Sequence, residues 1–147
     1  MVDFLSIVKK LIPGHYHTST GNPMSPEDFR EFVEEAKKRV PELARMKDWE
    51  VESTVLEALD WAMHTICVKQ REWSHASEAG HYVGMGLYKC EHPDTGKFYI
   101  VHFEEEIPDA GEAHVSFELT RDWREAQRSF SEEKKYWKEE LKRRGIE

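Results

Sequence analysis

Near residue 80 the spacing of apolar residues changes from a period of about 3.6 to a period of 2. This change restricts the chain to folds that set helices beside an antiparallel sheet. Before it, Val55, Leu56, Leu59, Ala62, Met63, Ile66 and Cys67 recur at intervals of three and four, which predicts a long core helix over residues 49–73. The opposite face carries Glu52, Glu57, Asp60 and His64. After it, residues 81–90 and 98–104 read as two strands joined by His92-Pro93-Asp94-Thr95-Gly96, a hairpin signal in which Gly96 supplies a positive φ. Residues 113–119 alternate too, with Val115, Phe117 and Leu119 on the inward face and His114, Ser116 and Glu118 on the other.

The flanking segments add helices. Residues 3–11 place Phe4, Leu5, Val8 and Leu11 on one side and stop at Pro13 and Gly14. Residues 15–24, rich in Gly, Pro, Ser, Thr and Asn, read as a loop or a short extended piece. Ser25 then caps a helix with Pro26 first, Glu27 and Asp28 in the opening turn, and Phe29, Phe32, Val33 and Ala36 leading to about Arg39. Trp123, Phe130, Trp137 and Leu141 form the stripe of a C-terminal helix ending in Lys142, Arg143 and Arg144, with Ser131 as a point of kink and restart. The expected fold is a single α+β domain over 1–147, with N-terminal helices, a three-stranded antiparallel meander and a C-terminal helix packed on the sheet. Leu59, Met63 and Ile66 are expected to meet Trp123 and Phe130 in one core.

A formal charge of −8 excludes a chain whose main business is coating nucleic acid, because phosphate binding needs a basic surface. No apolar run reaches the roughly 18 residues of a membrane helix, and Lys9 and Lys10 spoil Val2 to Ile12 as a leader, so a soluble cytoplasmic protein is expected. Cys67 and Cys90, one placed in a helix and one in a strand, are expected as reduced thiols. A single Asn and two Gln against many Glu and Lys give a thermophile-like bias. The expected partner is a small molecule or a protein.

Chemistry concentrates in two places. His15 and His17 alternate along an extended segment and so present two imidazoles to one side, while Asp28 follows at the start of a helix. This set predicts a divalent site for zinc or manganese with His15, His17 and Asp28 as ligands. Ser25 and Asp28 also fit a helix capping box. On the sheet, His102 and Glu104 share one strand face and His114, Ser116 and Glu118 share the next, a pattern expected to gather two imidazoles and two carboxylates. Ser25, Glu104 and His114 are the candidate catalytic residues, and His75 and His81 are loop residues within reach of either site. Glu104, Glu105 and Glu106 read as a solvated acidic turn.

The stretch His15-Tyr16-His17, seven residues, Ser25-x-x-Asp28 resembles the metal-binding motif of the JAMM or MPN zinc isopeptidases. That resemblance implies zinc on His15, His17 and Asp28, with Ser25 supporting the reacting carbonyl. The chain departs from that family in having no Glu among residues 1–14 and Tyr16 between the histidines. The same stretch is similar to the opening of PHP phosphoesterases, whose barrel carries further ligands for which this chain has no room. His17-x-Ser19 and His114-x-Ser116 resemble the paired motifs of 2H phosphoesterases, in which one His deprotonates a hydroxyl and the other protonates the leaving oxygen. The expectations are therefore a metal-dependent hydrolase, a noncatalytic interaction module such as a viral or accessory subunit, or a 2H-like phosphodiesterase.

Overall fold

A computed structural model describes residues 3–20, 25–78 and 80–145. Asp3 caps α1 (Phe4–Leu11), its carboxylate accepting from the Ser6 N–H at 3.3 Å. β1 (Gly14–Thr20) precedes α2 (Pro26–Arg39), where Ser25 Oγ accepts from the Asp28 N–H at 3.2 Å, the cap its sequence predicts. A 3-10 turn at Pro41–Leu43 leads into α3 (Asp48–Thr65). Four strands follow, β2 (Cys67–Ala76), β3 (Tyr82–His92), β4 (Gly96–Ile107) and β5 (Glu112–Thr120), and α4 (Trp123–Arg143) closes the chain. All pairings are antiparallel, in the order β1-β5-β4-β3-β2. The described residues are thus α+β with four α-helices and a five-stranded sheet, and none of the helices is long and apolar enough to cross a membrane.

The β3–β4 hairpin and its pairing with β5 match the expected meander, and Gly96 turns it with φ +72°. Two further strands correct the three-strand expectation. The helix expected to reach Trp73 stops at Thr65, because Thr65, Ile66 and Val68 cluster β-branched side chains that suit a pleated strand better than a helix. The segment expected as a loop or a short extended piece takes the extended form as β1, whose buried Tyr16 donates its hydroxyl to the Leu11 carbonyl at 2.6 Å. Residues 21–24 of that segment lie outside the described ones.

Three smaller expectations are also corrected. Cys67 and Cys90 sit opposite each other on β2 and β3 and form a disulfide rather than free thiols. The three glutamates belong to β4, with Glu105 buried and paired to His81 at 2.7 Å. α4 runs unbroken through Ser131.

The sheet is packed on both faces, so the single expected core divides in two. Leu59 and Met63 of α3 join Val8, Leu11, Phe32, Phe98, Ile100 and Phe117 on one face, with Ile66 packed at the margin. Phe130 and Ala126 of α4 pack on Met85, Leu87 and Val101 on the opposite face, beside Trp123, and Trp137 stacks on Phe103 with ring centroids 5.0 Å apart. α4 lies against β3, β4 and part of β5, and leaves β1 uncovered.

Candidate functional site on the outer strands

Antiparallel register decides which side chains meet. His17 faces Ser116 across the β1–β5 pair, Ser19 faces His114, and His15 faces Glu118. Alternation puts all six on the α4 face, because β5 presents Phe117 and Leu119 to the other core. Val101 and Phe103, opposite Glu118 and Ser116 on β4, supply the apolar floor. Beyond the flank of α4 these residues line an open cleft of about 400 Å³, closed on the helix side by Ser129 and Glu133.

The cleft contains a continuous hydrogen-bonded chain. His114 Nδ1 lies 2.8 Å from Ser19 Oγ, and Nε2 lies 3.3 Å from Glu112 Oε2. With the ring proton on Nε2, His114 donates to Glu112 and accepts from the Ser19 hydroxyl. The imidazole and carboxylate are each about three-quarters buried, at 26% and 24% side-chain exposure, so water only partly screens the pair. His17 stands diagonally across from His114. Partial burial lowers its pKa, His15 and His114 push the same way, and Asp28 opposes them. Neutral His17 is therefore available as a hydrogen-bond donor or acceptor at neutral pH.

The charge of the cleft is one-sided. Glu118 and Glu133 line it with the histidines, and among the described residues neither Lys nor Arg does. Ser129 donates to Glu118 and the Trp137 indole donates to Glu133 at 3.1 Å, which fixes both carboxylates to the α4 flank.

The sequence-predicted residues separate into groups. His15, His17 and Asp28 border a second depression, of about 580 Å³, with Glu31 and Phe32 at the β1 edge. Ser25 is exposed and serves its cap. Among the described residues, no group of three or more His, Cys, Asp and Glu side chains is arranged to hold a metal ion. Glu104 and His102 do not join His114: they pair with Val115 and Phe117, the residues of β5 that face the other way. His81 is buried against Glu105, with Arg144 at 3.7 Å from the same carboxylate, and so is a structural partner of β4. His75 sits on β2 rather than in a loop.

Glu112, Ser129 and Glu133 were not anticipated. Glu112 carried a usable signal, since it alternates with His114 and must share its face. Ser129 and Glu133 carried none, because their position depends on where α4 docks. No protein-family model, curated protein or solved structure matches this chain.

Proposed function

We propose that the outer-strand cleft is the active site of a serine-type hydrolase acting on a small uncharged or cationic ester or amide. The observation that carries this reading is the Ser19–His114–Glu112 chain, a hydroxyl on an imidazole that is itself oriented by a carboxylate. Ser19 Oγ attacks the substrate carbonyl carbon as its proton passes to His114 Nδ1, and Glu112 stabilises the imidazolium. The tetrahedral oxyanion accepts hydrogen bonds from the Ser116 hydroxyl and from neutral His17, both on the same face. Collapse expels the alcohol or amine, which takes its proton from His114. Water then attacks the acyl-serine with the same imidazole as base, releasing the acid and restoring Ser19.

Charge favours this reading over the phosphodiesterase one. The two His-x-Ser motifs lie side by side in inverted register, as a 2H-like site needs. A phosphodiester anion would nonetheless face Glu118 and Glu133 with no cationic side chain in the lining. An uncharged carbonyl compound meets no such repulsion.

The test is covalent labelling with a fluorophosphonate followed by peptide mapping, alongside hydrolysis of p-nitrophenyl acetate. Label on Ser19, with a loss of about 10²–10⁴-fold in rate in His114→Ala, is the expected result. Ester hydrolysis that survives Ser19→Ala but requires added zinc or manganese would replace this reading with the metal-dependent one on His15, His17 and Asp28. Hydrolysis of bis(p-nitrophenyl) phosphate in place of the ester would favour the phosphodiesterase, and inertness toward all three probes would favour the interaction module.

A further inference from the structure

The opposite face of the sheet holds a second cleft, of about 570 Å³, where α3 ends and β2, β3 and β4 continue without helical cover. Its floor is cut into the middle of β3. Along Tyr82-Val83-Gly84-Met85-Gly86-Leu87-Tyr88 the odd-numbered residues are buried or nearly so under α4, and the even-numbered ones face the cleft. Both central even positions are glycine. A Cβ at Gly84 would lie 2.8 Å from Cζ of Tyr82, and one at Gly86 would lie 2.8 Å from Cε1 of Tyr88. The two rings therefore fold flat onto the sheet over the glycines, and any side chain there would lift them into the cleft. Glycine inside a central strand sacrifices packing, and its usual compensation is the close approach of another group.

The neighbouring strand supplies the walls. Glu104 pairs with Gly84 and His102 with Gly86, so the carboxylate and imidazole border the glycine floor. The His102 ring lies against Phe117, with centroids 4.8 Å apart, and its Nδ1 is buried without a hydrogen-bond partner. Burial lowers the His102 pKa, with Glu104 opposing, which leaves the imidazole neutral at neutral pH. Lys69 also lines the cleft, paired to Glu72 at 3.0 Å with its Nζ over the Tyr88 ring, 5.8 Å from the centroid, so Tyr88 already faces a cation of the chain and Tyr82 does not. Glu104 is 3.9 Å from an uncharged imidazole and, among the described residues, forms no ion pair with a Lys or Arg, and Asp60 adds a second carboxylate.

We infer that this cleft binds a small organic cation, an amine whose apolar body lies on the Tyr82 ring over Gly84 and whose charge meets Glu104 on the neighbouring strand. Cavity volume, aromatic faces and surplus negative charge select the same chemistry: a ring face attracts a cation, and a carboxylate pairs with an ammonium more strongly than with a neutral hydroxyl. The site is independent of the proposed hydrolase, since it uses the other face of the sheet and shares no residue with the Ser19–His114–Glu112 chain.

Titration of ¹⁵N-labelled protein with benzylamine, benzyl alcohol and benzoate tests it. Benzylamine is expected to shift the amide signals of residues 82–88 and 102–104, with benzyl alcohol at least about tenfold weaker and benzoate weaker still. Glu104→Gln should bring benzylamine down to the level of benzyl alcohol. Gly84→Ala, checked for native fold by its unchanged remaining spectrum, should abolish binding, whereas Ser19→Ala should leave it intact. Equal binding of the amine and the alcohol, full binding by a folded Gly84→Ala variant, or no benzylamine shifts in the wild type would each overturn the proposal. If Gly84→Ala fails to fold, Tyr82→Ala serves in its place: it removes one ring and should weaken benzylamine binding about tenfold, and unchanged binding would overturn the proposal.

Discussion

The two faces of the sheet carry different amounts of helix. Five strands spaced about 4.8 Å apart present a surface roughly 20–24 Å wide, and one helix covers about 10 Å of it. On the face shared by α1, α2 and α3, apolar side chains seal the β1–β5–β4 end and the cover runs out over β2 and β3, where the glycine-floored cleft opens. On the other face α4 alone seals β3 and β4, and the cover runs out over β5 and β1, where Ser19, His114 and Glu112 lie. Both clefts are gaps in helical cover, at opposite ends of one sheet. Polar residues at such gaps avoid the cost of full burial while keeping the rigid spacing of a strand, which is why chemistry collects there.

That comparison breaks if the thin α4 layer unfolds apart from the thick one. Phe130, 1% exposed, should cost about 3–5 kcal/mol when changed to Ala, against about 2–5 kcal/mol for Leu59→Ala on the other face. Both variants should melt in one calorimetric transition. A separate low-temperature transition in Phe130→Ala would show that the faces are independent units. Removing the Cys67–Cys90 crosslink, which spans 23 positions, should lower stability by about 3 kcal/mol in denaturant titration. The loss should leave the Ser19 end of the sheet unaffected by amide exchange.

Tyr16 sharpens the contrast at high pH. Burial is the main cause that raises its phenol to about 12, so the folded state keeps a proton that the unfolded state releases near 10. Stability held below pH 10 should decline by about 2–3 kcal/mol as pH rises toward 12, and Tyr16→Phe should flatten that decline. Ser129→Ala removes the bond to Glu118 at the edge of the α4 layer and should cost about 1 kcal/mol. His102 gives the smallest effect and the opposite sign. Its lowered pKa means the unfolded chain binds a proton near 6.5 that the folded chain refuses, so stability present above that pH is lost as pH falls below it. The midpoint temperature of His102→Phe should depend less on acid than that of the wild type.

Legibility in the sequence followed how much of each signal was local. The β3–β4 turn, the cap at Ser25 and the inward face of β5 were readable because alternation, Pro-Asp-Thr-Gly and Ser-Pro-Glu-Asp act within a few residues. The start of β2 is hidden in the sequence because Lys69, Gln70, Arg71 and Glu72 are exposed and resemble the solvent side of a helix. β1 is legible only as a loop or a short extended piece, because its alternation is carried by polar residues around Tyr16. The 2H resemblance sets His17 beside His114, but their meeting depends on β1 pairing with β5, which no local pattern encodes. The separation of Glu104 from His114 turned on the same register, since a shift of one residue moves a side chain to the other face.

The pairing of the first strand with the last has a kinetic consequence. Ser19 and His114 are 95 positions apart, so the largest loop in the sheet must close before their hydrogen bond exists. Closing so long a loop is entropically late, and strands β2 to β5 can assemble as successive neighbours without it. The Ser19–His114 hydrogen bond is then among the last contacts to form during folding. An incompletely folded molecule would hold most of its sheet without the Ser19–His114 contact, and protection of the β1 amides in a refolding experiment would time the arrival of that strand.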